Sequence, residues 1–126
     1  MKSKEDVEKL EKVIGQLQGA HAEIGLLAKK SPSDSLNSFK LKLINKVLVA
    51  ANSVLGKKYR PFDDFEQFDS DDAPTTSDVT LILAQYMEEV ERYRSDNVIH
   101  DYGWFYVVGG ETTEIPAGPP SKVGRK

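Results

Sequence analysis

A chain of 126 residues has the length of one domain. At that size roughly two thirds of the unfolded surface can be buried, so neither a disulfide nor a metal is needed for folding. Cysteine is absent, which excludes disulfides, thiolate zinc sites and cysteine nucleophiles together. The net charge of -3 argues against a nucleic-acid binder, which needs a concentrated basic patch.

The first residues, Met1-Lys-Ser-Lys-Glu-Asp6, have no apolar run behind the lysines, so no secretory signal is expected and a cytoplasmic location is. A first helix is predicted from Lys4 to about Lys29. Ser3 suits an N-cap, Glu5 and Asp6 favour the positive end of the helix dipole, and Lys29 and Lys30 suit the other end. Val7, Leu10, Ile14, Leu17, His21, Ile24 and Ala28 follow a three-four spacing, a heptad seam that predicts a coiled-coil-like stripe. Val13, Ala20 and Leu27 widen it. Gly15, Gly19 and Gly25 each lower helix propensity by about 1 kcal/mol against alanine, so tertiary or partner packing must hold this helix.

Ser31 to Ser35 reads as a loop. A second helix starts near Ser35 or Asn37 and ends at Leu55, with Gly56 just beyond it. Two apolar stripes lie side by side on it: Leu36, Phe39, Leu43, Val47, Ala50 and Val54, and Leu41, Ile44, Leu48, Ala51 and Leu55. So wide an apolar arc predicts a central helix packed on two sides.

Residues 57–76 are an irregular connection, bounded by Arg60-Pro61 and Ala73-Pro74. Its Phe62, Phe65 and Phe68 are spaced for a short helical turn. The third helix is capped by Thr76 or Ser77 and carries Val79, Ile82, Leu83, Tyr86, Val90 and Tyr93 on its buried stripe. It ends between Arg94 and Ile99. Two β-prone runs, Trp104–Val108 and Glu111–Ile115, flank Gly109-Gly110 and predict a tight hairpin. Residues 117–126 predict a disordered tail. The fold expected is mainly α: a three-helix bundle-like domain over residues 1–116, with a small C-terminal β-hairpin and a flexible tail.

Function is best sought in how the charge is distributed. Ser35 to Arg60 carries six basic residues and no acid, whereas Pro61 to Glu91 carries ten acids and no Lys or Arg. The sharpest part interleaves Phe62, Phe65 and Phe68 with Asp63, Asp64, Glu66, Asp69, Asp71 and Asp72. Three uses fit it. The segment is a loop anchored by its phenylalanines and neutralised by Lys40, Lys42, Lys46, Lys57, Lys58 and Arg60; or a recognition surface for a basic protein partner; or a divalent-cation site at Asp69, Asp71 and Asp72. An EF-hand is excluded, because Pro74 and Thr80 stand where glycine and glutamate are required.

His21 lies on the heptad seam and reads as a core or interface residue. His100-Asp101 offers a histidine beside a carboxylate, but no Gly-x-Ser-x-Gly, Walker or Gly-x-Gly-x-x-Gly pattern accompanies it. The leading expectation is therefore a non-enzymatic protein-binding module without a cofactor, a small acidic adaptor, inhibitor or immunity-type protein that uses the Phe62–Asp72 surface. Its alternatives are a metal-binding switch or metal-assisted enzyme at the Asp cluster, and a homodimer or larger structural oligomer through the first helix or the hairpin edge.

Overall fold

The computed structural model describes residues 1–126: helices α1 (Lys4–Lys30), α2 (Ser38–Tyr59) and α3 (Thr76–Ser95), then strands β1 (Val98–His100), β2 (Trp104–Val108) and β3 (Glu111–Pro116). The chain is mainly α with a small antiparallel sheet at its C-terminal end. No helix is long and apolar enough to cross a membrane.

Side chains set each helix start. Ser3 Oγ accepts the Asp6 N–H at 3.3 Å while the Asp6 carboxylate accepts the Ser3 N–H at 3.2 Å, a reciprocal cap that satisfies two orphan donors. Asn37, not Ser35, caps α2 by accepting the Lys40 N–H at 2.8 Å. Thr75 caps α3 with Asp78, one residue ahead of the predicted start. Gly56 takes φ 63° and ψ -172°, a positive-φ conformation open to glycine but not the left-handed cap expected just beyond a helix, and a further turn follows it to Tyr59.

The core is a single cluster. α1 gives Val7, Leu10, Val13, Leu17 and Ile24; α2 gives Leu41, Ile44, Leu48, Ala51, Leu55 and Tyr59; α3 gives Val79, Leu83, Tyr86 and Val90. The most extensive helix pairing is α1 with α3. The apolar seam of α1 is thus buried within its own chain rather than left open for a coiled-coil partner. α2 packs against both α1 and α3. Its Leu41–Leu55 stripe is buried, but on the second stripe Phe39 is 70% exposed and Leu43 45% exposed. The expected packing on two sides is met toward α1 and α3, with Val47, Ala50 and Val54 of the second stripe half-buried against the core, while Phe39 and Leu43 stay open.

Loops tie the frame together. The α1–α2 loop pairs with the start of α3: the Leu36 N–H donates to the Pro74 carbonyl, the Thr76 N–H to the Asp34 carbonyl, and Thr76 Oγ1 to the Ser31 carbonyl at 2.7 Å. The predicted hairpin is β2–β3, with Gly109 and Gly110 at φ 60° and 79°. β1 is an added strand, where the sequence had allowed α3 to run on to Ile99. It pairs antiparallel with β2. Tyr106 of β2 enters the core. The hairpin turn is held by the chain start, since the Gly109 N–H donates to the Met1 carbonyl at 2.9 Å.

The segment predicted as a disordered tail lies along α3. Arg94, buried at the end of that helix, donates two bonds to the Glu91 carboxylate and further bonds to the carbonyls of Ala117, Gly118 and Pro119. Beyond them Ser121 N–H reaches Glu91, Lys122 pairs with Glu88 at 3.0 Å, and Arg125 pairs with Glu89. Gly124 passes so close to Asp96 that a Cβ there would fall 1.8 Å from a carboxylate oxygen. Glycine, proline and basic residues read as disorder by composition, but here they match a helix face carrying four acids.

Two outcomes follow for stability. Leu83→Ala, at a fully buried site, should cost about 2–5 kcal/mol in denaturant unfolding; a loss below 1 kcal/mol contradicts this core. The second concerns acid. Burial pushes the Glu91 carboxyl up, but the Arg94 guanidinium and the Ser121 N–H outweigh it and hold it below its ordinary value. Asp96 is likewise lowered against burial by the Tyr59 hydroxyl and the Arg125 and Lys126 backbone. A carboxyl lowered by folding stabilises above its ordinary pKa, and that contribution is lost as pH falls through the lowered value. Tail docking should therefore be complete at neutral pH and weaken below about pH 4. Amide resonances of Ser121–Arg125 moving to random-coil positions in acid, while the helix core persists, is the expected observation; positions unchanged down to about pH 2 contradict it.

Candidate functional site

After Arg60 the chain leaves α2 and crosses the surface to α3. No helical turn forms over Phe62–Phe68; a short 3-10 turn comes later, at Ser70–Asp72. The three phenylalanines nevertheless stack in sequence. Phe62 meets Phe65 edge-on at 6.2 Å between centroids, Phe65 meets Phe68 at 5.2 Å, and Phe65 leans on Tyr86 of α3 at 6.4 Å. Phe65 and Phe68 pack against the core, so they support the segment rather than offer contact surface. Phe62 stands exposed at its start.

The backbone of the segment is held by two asparagines of α2. Asn45 grips Phe68 on both sides: its Oδ1 accepts the Phe68 N–H and its Nδ2 donates to the Phe68 carbonyl, each at 2.9 Å. Asn52, only 3% exposed, donates to the Glu66 carbonyl at 3.0 Å and accepts from the Tyr86 hydroxyl at 2.8 Å. Burial raises the Tyr86 phenol pKa, which keeps that hydroxyl protonated and donating. The segment ends on Ala73 at φ 44°, a left-handed conformation that costs a non-glycine residue roughly 1–3 kcal/mol. A loop carrying that strain is held in place by its surroundings.

The side chains left on the outside are acids. Asp63, Asp64, Glu66, Asp69, Asp71 and Asp72 are all exposed. Only Glu66 has a cation within ion-pair range, Arg60 at 3.6 Å. Asp69 accepts the Asp71 N–H at 2.9 Å and caps the 3-10 turn. Lys42 and Lys46 line an open groove of about 800 Å³ beside Phe68 and Asp69, yet neither reaches a carboxylate. The expected neutralisation by the basic helix is thus confined to one pair. The remaining acids that do find cations are on α3, where Arg92 meets Glu88 at 3.5 Å, Arg94 meets Glu91 at 2.7 Å, and Lys122 and Arg125 of the C-terminal segment meet Glu88 and Glu89. Glu88, Glu89 and Glu91 therefore form a paired, half-buried face.

Other sequence candidates do not come together. His100 stacks edge-on against Trp104 at 5.1 Å and makes no hydrogen bond to Asp101, so no oriented base exists there. His21 is half-buried in a cleft between α1, α3 and the tail. No three His, Asp or Glu side chains converge as ligands of one ion would, and this leaves the reading at Asp69, Asp71 and Asp72 without a donor set.

No protein-family model, curated protein or solved structure matches the chain. The geometry alone therefore carries the functional reading.

Sequence reasoning missed the asparagine clamp, although a signal was there. Leu41, Asn45, Leu48, Asn52 and Leu55 share one face at three-four spacing, so the asparagines interrupt a buried stripe and must find partners inside. Replacing Asn52 by alanine leaves the Tyr86 hydroxyl and the Glu66 carbonyl unpaired and should cost about 1–3 kcal/mol in denaturant unfolding. Asn45→Ala, in a wetter place, should cost about 1 kcal/mol and chiefly speed proteolysis between Phe62 and Asp72. Wild-type stability in both variants contradicts the clamp.

Proposed function

We propose that this protein is a non-enzymatic, cytoplasmic protein-binding module, an acidic adaptor or inhibitor whose Asp63–Asp72 edge engages a basic surface of a protein partner. A bundle-like helical frame carries the edge. The observation that supports this reading is the pairing of rigidity with unspent charge: five exposed aspartates lack any cation, on a backbone fixed by Asn45 and Asn52.

Fixed carboxylates serve recognition in two ways. They raise the encounter rate with a cationic partner by about 10–1,000-fold through steering. They also lose little conformational freedom on binding, so less of the interaction is spent on ordering. Phe62 at the start of the edge supplies apolar area next to the charge.

Reversing Asp63, Asp64, Asp69 and Asp71 to lysine tests the proposal, because all four are exposed and none holds the core. Partner proteins captured by the wild-type chain from its native cell should be lost with the variant, while the helical circular dichroism is unchanged. Capture should also weaken as salt is raised. Equal recovery of the same partners by both chains would show that the edge is not the binding surface.

A further inference from the structure

A second surface lies around α2 from the acidic edge, beyond the ridge of Lys46. It is a groove between α1 and α2, seen as two adjoining hollows of about 590 and 280 Å³ that share Leu43 and Val47. Val13 and Ala20 of α1 form one wall, and Phe39, Leu43, Val47 and Ala50 of α2 the other. Phe39 is among the most exposed large apolar side chains of the molecule, and Leu43 beside it is also exposed. The chain leaves them uncovered because its third helix packs on the far side. From Phe39 to Val54 the groove follows α2 for about 22 Å, the length of a helix of about 15 residues.

Its rim has one dominant sign. Lys9, Lys12, Lys40 and Lys46 border the groove against a single acid, Glu23. None of these lysines forms an ion pair. An apolar trough between cationic rows is complementary to a helix with an apolar ridge flanked by carboxylates. A basic helix meets repulsion on both sides. A second copy of this chain offers no matching helix, since the acids of α3 are covered by its own tail and its other exposed acidic cluster sits on an irregular loop.

We propose that the α1–α2 groove docks an acidic amphipathic helix of a partner protein. The proposal does not depend on the Asp63–Asp72 edge, and its test uses different residues. Together the two surfaces would let one small domain hold a basic and an acidic partner at once.

The test is selection of a displayed library of 16-residue peptides against the intact chain. Enriched peptides should carry apolar residues at i, i+3, i+4 and i+7 with Asp or Glu beside them. They should lose at least about tenfold in affinity for Leu43→Asp, and also for the double change Lys12→Glu with Lys46→Glu, and weaken as salt rises. All three substituted residues are exposed, circular dichroism checks the fold of each variant, and the lysine pair keeps the test open if Leu43→Asp misfolds. No enrichment, enrichment of neutral or basic flanks, or indifference to both variants overturns the proposal. So does a dimer in light scattering that Leu43→Asp dissociates, which would make a second copy the occupant. Binding to phosphatidylserine vesicles that the same change abolishes would make it a membrane surface and overturn the proposal equally.

Discussion

The side chain of Asn52 joins three parts of the molecule at one buried point: α2, α3 and the segment that connects them. Its oxygen accepts a hydrogen bond from the Tyr86 hydroxyl on α3, and its nitrogen donates one to the Glu66 carbonyl in the connecting segment. A buried amide of this kind is costly unless all its partners are present, and nearly obligatory once they are. The link fixes where the Phe62–Asp72 segment crosses α2. Phe65 then fits against Tyr86, Asn45 grips Phe68 seven residues up the same helix face, and the aspartates have only the outside left to occupy. The acidic edge is a consequence of how the segment is anchored.

That anchoring also explains why opposite charges adjacent in sequence stay apart in space. The six basic residues from Lys40 to Arg60 precede the acids along the chain, and neutralisation by proximity is the simple expectation. In the fold, Arg60 alone reaches across. Helix geometry puts Lys40 on the α1–α2 groove and Lys46 on the ridge between that groove and the hollow beside Asp69, and neither Lys42 nor Lys46 forms an ion pair with the acids. The cations that neutralise acid come instead from the C-terminal segment, which lays Lys122 and Arg125 on Glu88 and Glu89. A small net charge is the sum of one neutralised face, one acidic edge and one basic groove, which are separate surfaces.

Much of the helical frame was legible because its signals are local. Ser3 with Asp6, the three-four spacing of Val7, Leu10 and Leu17, and the Gly109-Gly110 turn each act within a few residues, and each appears where expected. What was not legible depended on partners far away in sequence. Nothing near Asn52 announces Tyr86, and nothing near Arg94 announces the carbonyls of 117–119. The tail looked disordered because proline and glycine have no core to bury, and it is ordered because a helix face of acids waits for it. The wide apolar arc of α2 predicts packing on two sides, and the fold supplies it except at Phe39 and Leu43. Periodicity shows that a face is apolar; it does not show whether this chain or another molecule covers it.

Recognition by the acidic edge requires the Phe62–Asp72 segment to be a held structure and not a mobile charged loop. Backbone ¹⁵N relaxation measures this directly on the unmodified protein. Order parameters across Phe62–Asp72 should match those of the helices, about 0.8–0.85. Values below about 0.6, with the helices rigid, would show that the asparagine clamp does not hold and that the edge has no fixed shape to recognise with.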